Sequence, residues 1–272
     1  MPDAILLAQM LGLLLVIGAF AGVVAGLLGV GGGIVLVPAF FYTFTALGYS
    51  GPYLMQICLA TSLATIIVTS IRSVRAHNAR GAVDWEILRG WAPGIAIGAI
   101  LGVLIAAGLR SVVLQGIFGV LGLMVGLYLA FGRPHWRLGT VMPQGIRRWT
   151  AGPVMGFLSV LMGIGGGSFG VPLMSLYGVA IHRAVATASG FGLVIAVPSV
   201  AGFLLLRPED PPPWTVGAVN MPAFAVIVAT TFLTAPWGVR LAHAMDPKPL
   251  KRVFAVFIML MAANMLRKAL GY

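Results

Sequence analysis

Charge is what this chain lacks. Only 8% of its 272 residues are charged, against about 25% in an ordinary soluble domain. So few charges cannot cover the surface of a water-soluble globule of this size. Acidic residues are scarcest, numbering six: Asp3, Asp84, Glu86, Glu209, Asp210 and Asp246. All fall in loops or at the ends of apolar segments. A carboxylate at mid-membrane is the usual mark of a cation pathway or proton relay, and none is on offer. The cargo implied is anionic or neutral. Cysteine is almost absent: Cys58 stands alone, which excludes an internal disulfide and any multi-cysteine metal site. In its apolar stretch it reads as a buried, inert thiol. No apolar segment gathers the His, Asp, Glu or Cys that a membrane-embedded enzyme needs. The expectation is no enzyme, no metal and no cofactor. The start, Met1-Pro2-Asp3, lacks the positive region of a cleavable signal peptide, so the first apolar stretch is expected to be a retained span.

Hydrophobic residues are abundant, at 60%. Charges and turn residues divide the chain into ten apolar segments: 4–28, 33–48, 55–71, 90–109, 111–131, 150–163, 167–181, 184–206, 214–240 and 250–268. This predicts an all-α polytopic membrane protein with the lipid bilayer as its partner. A full span takes about 20 residues, and segments 33–48, 150–163 and 167–181 are short for that. The net charge of +11 does not imply nucleic acid, because the basic residues sit in short loops between apolar runs. Arg72, Arg75, Arg80 and Arg89 occupy one loop. Arg133, Arg137, Arg147 and Arg148 occupy a second, and Arg240, Lys248, Lys251 and Arg252 a third. The positive-inside rule places all three in the cytoplasm. Residues 207–213 and both termini then lie outside, with Arg267 and Lys268 against the rule.

Glycine is the most informative residue present. Residues 29–33 read Gly-Val-Gly-Gly-Gly and residues 163–167 read Gly-Ile-Gly-Gly-Gly, 134 residues apart. A proline follows each at the same offset, Pro38 and Pro172, and these mark expected helix breaks. The assigned topology turns the second half over relative to the first. Two lines, charge and glycine, thus predict an inverted 5+5 helical repeat with broken or re-entrant hairpins at the glycine clusters. The halves would be 1–132 and 150–272, joined by a cytoplasmic linker 133–149. Such interrupted repeats place a transport site at their interface.

The candidate site follows. Glycine lets backbone approach a ligand closely and permits positive φ. A helix N-terminus carries roughly half a positive charge and binds anions through free N–H groups. Gly31, Gly32, Gly33 and Ile34 would form one such end, and Gly165, Gly166, Gly167 and Ser168 the other. Small hydroxyls recur nearby: Thr61 and Ser62, with Thr65 and Thr69, in the third segment, and Thr187 and Ser189 in the eighth. Gln56 is a further donor. The competing reading is close helix packing, which suits Gly18, Gly22 and Gly26 at four-residue spacing but suits three consecutive glycines poorly. A phosphate loop is excluded, since neither cluster runs on into Gly-Lys-Ser/Thr. For His182 and Arg183, just before the eighth segment, a capping or interface role is expected.

At these residues the chain resembles the sulfite exporter TauE/SafE family of membrane transporters. Gly26 to Pro38, Ala60 to Thr65, Gly81-Ala82-Val83-Asp84-Trp85, Gly163 to Gly167, Val171-Pro172 and His182 to Thr187 carry the resemblance. It implies a carrier in the bacterial inner membrane for a small sulfur oxyanion such as sulfite or an organosulfonate. From the residues, the expected function is a secondary transporter, on balance an exporter, working by alternating access. An anion channel or an uptake permease for a related anion stays open.

Overall fold

The computed structural model describes residues 4–28, 32–132, 137–244 and 247–271, with side chains omitted at 4–10, 24–28, 238–244, 247–251, 253 and 254. Ten helices run in order among the described residues. They are α1 (Ala4–Leu28), α2 (Gly33–Ala46), α3 (Leu54–Asn78), α4 (Trp85–Gly108), α5 (Ser111–Phe131), α6 (Ile146–Leu161), α7 (Gly167–Leu176), α8 (Ile181–Leu204), α9 (Met221–Ala244) and α10 (Pro247–Ala269). The all-α membrane architecture expected from composition is what the chain adopts. Helices α3, α4, α5 and α8 are each long and apolar enough to cross a bilayer. Their outward faces are greasy: Leu104, Met124 and Phe131 are all more than half exposed, as lipid-facing residues are.

Helices overrun the expected segments at their charged ends: α3 runs to Asn78, past 71, and α4 starts at Trp85, before 90, so Arg72, Arg75 and Arg89 lie in helices and not in a loop. The ninth segment does not start at 214. Residues Thr215–Val216 and Val219–Asn220 form a two-stranded hairpin first. Gly217, at φ 57°, makes the turn, and Asn220 then caps α9 by accepting from Ala223 N–H at 3.0 Å. Cap and turn chemistry override the apolar run there.

Packing sorts the helices into pairs. α1 lies on α9, α6 on α4, α5 on α10, and α3 on α8 at the centre. Replacing each helix by the one five places later returns the same pairs. The contacts also give direction. Gly94, Gly98 and Gly102 of α4 meet Gly152, Pro153 and Val160 of α6 in rising order, so α4 and α6 run parallel. Gly18 and Gly22 of α1 meet Thr230 and Thr234 of α9, again in rising order. Gly18 and Gly152, like Gly22 and Gly156, stand 134 residues apart. The seams are small-residue contacts, which let helix backbones approach without a hydrophobic drive in lipid.

Loops gather at two ends. At one, Leu138 N–H donates to Leu176 O at 2.8 Å and Arg183 pairs with Asp84 at 3.0 Å. This joins the connection before α6, the end of α7 and the turn between α3 and α4. At the other, Ser111 N–H donates to Pro52 O at 3.2 Å, and Gly51 lies beside the Glu209 backbone. This joins the α2–α3, α4–α5 and α8–α9 connections. Thus α6 and α7 leave and return at the first end, while α2 finishes at the second. α7 has 10 residues, about 15 Å at 1.5 Å per residue, half the thickness of a bilayer core.

Candidate functional site

The two glycine clusters meet in the core. A Cβ on Gly33 would stand 2.9 Å from Gly163 O and 3.1 Å from Ile164 Cα. Only a residue without a side chain permits that approach. Gly32 precedes α2 in the left-handed region, at φ 68° and ψ −16°. Gly163 turns the second tip at φ 61°, and its carbonyl accepts from the Ser62 hydroxyl at 2.7 Å. Gly31, with Gly29 and Val30, lies outside the described residues. So does the side-chain environment of Gly26.

The three glycines of the second cluster are not equivalent. Gly165 has room, with Ile66 and Gly192 as its neighbours at 3.3 and 3.6 Å. Gly166 has ordinary right-handed helical backbone, φ −63°. A Cβ there would overlap Phe191 and stand 2.8 Å from Ala188 O and 2.9 Å from Gly192 N. Gly166 is therefore glycine because α7 lies directly on α8. Gly167 opens α7, and Ser168 follows it.

The prolines do not end their helices. Pro38 and Pro172 are each the sixth residue, and α2 and α7 run on past them. Proline has no N–H to give to the residue four before it, so the ladder leaves the carbonyls of Ile34 and Ser168 without their usual donor.

The hydroxyls divide by use. Thr61 Oγ1 accepts from Asn220 N–H at 3.0 Å, and Thr187 Oγ1 accepts from Asp84 N–H at 2.9 Å. Asp84 in turn caps α4 by accepting from Ile87 N–H at 3.1 Å. The two constellations are the same device used twice: a buried threonine steadies the residue that caps α9 or α4. Ser189 donates to Ala186 O at 2.6 Å within its own helix. Thr65 and Thr69 do likewise, to Ser62 O and Thr65 O. Gln56 donates to Ala106 O and Leu109 O at 3.2 and 2.6 Å, closing the C-terminus of α4. The structure places Gln56 at that corner, away from the glycine tips. Arg183 holds the interface role expected of it, through Asp84.

What remains at the tips is a pair of open helix ends. α4 and α9 begin with side-chain caps. α2 and α7 begin on glycine with no side-chain cap. Their free N–H groups face the protein interior and not water. Sequence reasoning missed two residues here. Gly192 of α8 and Ser70 of α3 both stand against the start of α7. Ser70 falls one residue beyond the Thr-rich run that drew attention, and Gly192 has no cluster to flag it.

No group of three or more metal-binding side chains exists among the described residues. A multi-pass helical protein whose centre is two apposed hairpin tips belongs to the class of membrane transporters. The chain belongs to the sulfite exporter TauE/SafE family, whose model matches residues 14–265. It is 30% identical over 258 residues to a probable membrane transporter protein of Haemophilus influenzae, covering 94% of this chain and 98% of that one. A probable membrane transporter protein of Methanocaldococcus jannaschii is 25% identical over 266 residues, 94% of this chain and 96% of the relative. A shorter match, 32% identical over 186 residues, joins it to a probable membrane transporter protein of Bacillus subtilis, covering 60% of this chain and 67% of that one. No solved structure matches the chain.

Proposed function

We propose that the protein is a secondary transporter that moves a small sulfur oxyanion, sulfite or a small organosulfonate, out across the bacterial inner membrane. One observation carries this reading: the two glycine tips meet in the core, Gly33 against Gly163, and the helices that follow them, α2 and α7, begin on glycine without side-chain caps. Two ends of roughly half a charge each balance one monoanion with no buried lysine or arginine. The family and its relatives support transport; the charge argument supports the anion.

The halves are read as an inverted repeat, which the helix pairing and the parallel runs of α1 with α9 and α6 with α4 favour. Rocking one half against the other would part the tips and expose the site to either side in turn. Basic residues at the cytoplasmic end would raise the local anion concentration. The membrane potential, negative inside, drives a monoanion outward by about 2.3 kcal/mol per 100 mV, so export needs no coupling carboxylate.

The test is flux from proteoliposomes loaded with sulfite or methanesulfonate. Saturable, protein-dependent efflux of either anion is expected. Absence of flux for both refutes the substrate class, and flux that rises linearly without saturation refutes the carrier in favour of a channel.

A further inference from the structure

The two tips differ in chemistry as well as in backbone. The 134-residue offset sets Ile34 of α2 opposite Ser168 of α7. Matching Thr61 to Thr187 sets Ser70 of α3 opposite Ala196 of α8. Both differences place the hydroxyl at the second tip and a hydrocarbon at the first. Ser168 is 5% exposed, and its Oγ is buried with no hydrogen-bond partner. A buried hydroxyl without a partner is costly, and native proteins rarely keep one without use. Ser70 is 6% exposed and has no side-chain partner among the described residues. Its Oγ lies 2.5 Å from where a Cβ on Gly192 would stand, and Gly166 N lies 3.6 Å from the same point. Ser70 Oγ therefore lies beside Gly192, near the residue on which α7 begins. At the other tip Ile34 is 2% exposed and offers only aliphatic surface.

We infer that the second tip alone binds the oxygens of the transported anion, through the N–H groups opening α7 and the hydroxyls of Ser168 and Ser70, while Ile34 of the first tip packs against the substrate's apolar end. This rests on the oxyanion-transport reading above. It adds a direction to the bound substrate and a preference: an oxyanion bearing a small apolar group fits this site better than one with oxygens on every side. The Ser168 hydroxyl, unpartnered within the protein, would find its acceptor in an anion held between the tips.

The experiment uses full-length protein in proteoliposomes, with sulfite and methanesulfonate as probes, and thermal unfolding of the same preparations. Ser168→Ala and Ser70→Ala should each raise the half-saturating concentration of both anions about tenfold, as for loss of one hydrogen bond to a charged group. Melting temperature of Ser168→Ala should hold or rise, because the change removes an unpaired buried hydroxyl. Ser168→Thr, which keeps a hydroxyl, should recover most of the affinity. Ile34→Ser should weaken methanesulfonate and spare sulfite. Ser199→Ala, whose hydroxyl bonds Ile195 O within α8, is the control and should change neither anion. If wild-type protein transports and both serine-to-alanine variants keep wild-type half-saturation, the inference is overturned while the transport reading stands. Equal weakening of both anions by Ile34→Ser overturns the apolar wall. If the wild type transports neither anion, the site reading and the inference fall together.

Discussion

Gly32 and Gly166 occupy matching clusters for different reasons, and substitution separates them. Gly32 sits at φ 68°, where an alanine Cβ crowds the following carbonyl at a cost of about 1–2 kcal/mol. Asparagine tolerates that region far better, so Gly32→Asn should regain most of the stability that Gly32→Ala loses. Gly166 has φ −63°, so backbone strain plays no part. Its difficulty is space: a Cβ overlaps Phe191 and presses on the α8 backbone at Ala188 and Gly192. Neither neighbour is the free end of a flexible chain, so α7 must move off α8. Overpacking of that kind costs about 1–3 kcal/mol, and no residue larger than glycine relieves it. The assay pairs thermal unfolding with sulfite flux per folded molecule. Gly32→Ala and Gly32→Asn should both lose at least about tenfold in flux, equal to about 1.4 kcal/mol, since either side chain enters the tip where the anion's charge is balanced. Gly166→Ala should lose stability first. Normal specific flux in Gly32→Asn would refute the backbone cradle. Wild-type stability in Gly166→Ala would refute the packing assignment.

Other outcomes follow from the same geometry. His77→Cys should be labelled by an impermeant thiol reagent only from the cytoplasm, and Asp210→Cys only from outside, with native Cys58 silent because it is fully buried; labelling of both from one side refutes the topology. Thr61→Val and Thr187→Val should destabilise the protein by similar amounts, about 1–3 kcal/mol each, because each strands one buried capping N–H; a large inequality in unfolding measurements would break the equivalence of the two halves. Flux of a monoanion should be electrogenic, so an imposed inside-negative potential should speed efflux and a reversed one slow it; indifference to potential would require a co-transported charge.

Helix number was legible because it depends on local chemistry, whereas helix ends were legible only roughly, α3 running to Asn78 and α4 starting at Trp85. An apolar run must be helical in lipid to satisfy its backbone, and charges and turn residues mark where it stops. The β-hairpin at 215–220 was hidden because its residues are as apolar as the helix that follows. The cap itself is local, Asn220 accepting from Ala223 N–H; its anchoring by Thr61, distant in sequence, is what sequence does not show. Thr61 and Thr187 looked like ligand donors for the same reason. A hydroxyl beside a suspected site is visible in sequence, but the backbone N–H that already occupies it comes from a helix far along the chain. Ser70 escaped notice in the opposite way. It carries no motif, and its position depends on α3 crossing α8 at Gly192.

Capping explains which termini remain for a substrate. Four helix starts bear on this, and two of them, those of α4 and α9, carry side-chain caps, Asp84 and Asn220. Asp84 is one of the six acids in the chain, and its second oxygen is held by Arg183, which leaves it no spare charge to repel an anion. The other two, α2 and α7, begin on glycine and keep their N–H groups free. A buried arginine would bind an anion more strongly, and that strength would work against release, since a fully desolvated charge pair is costly to separate. On the proposed mechanism, two partial charges that come together when the tips close and separate when they part would offer weaker binding that changes with conformation. Glycine would serve both demands at once: it allows the tips to touch, as Gly33 and Gly163 do, and it would keep the helix ends bare if they part.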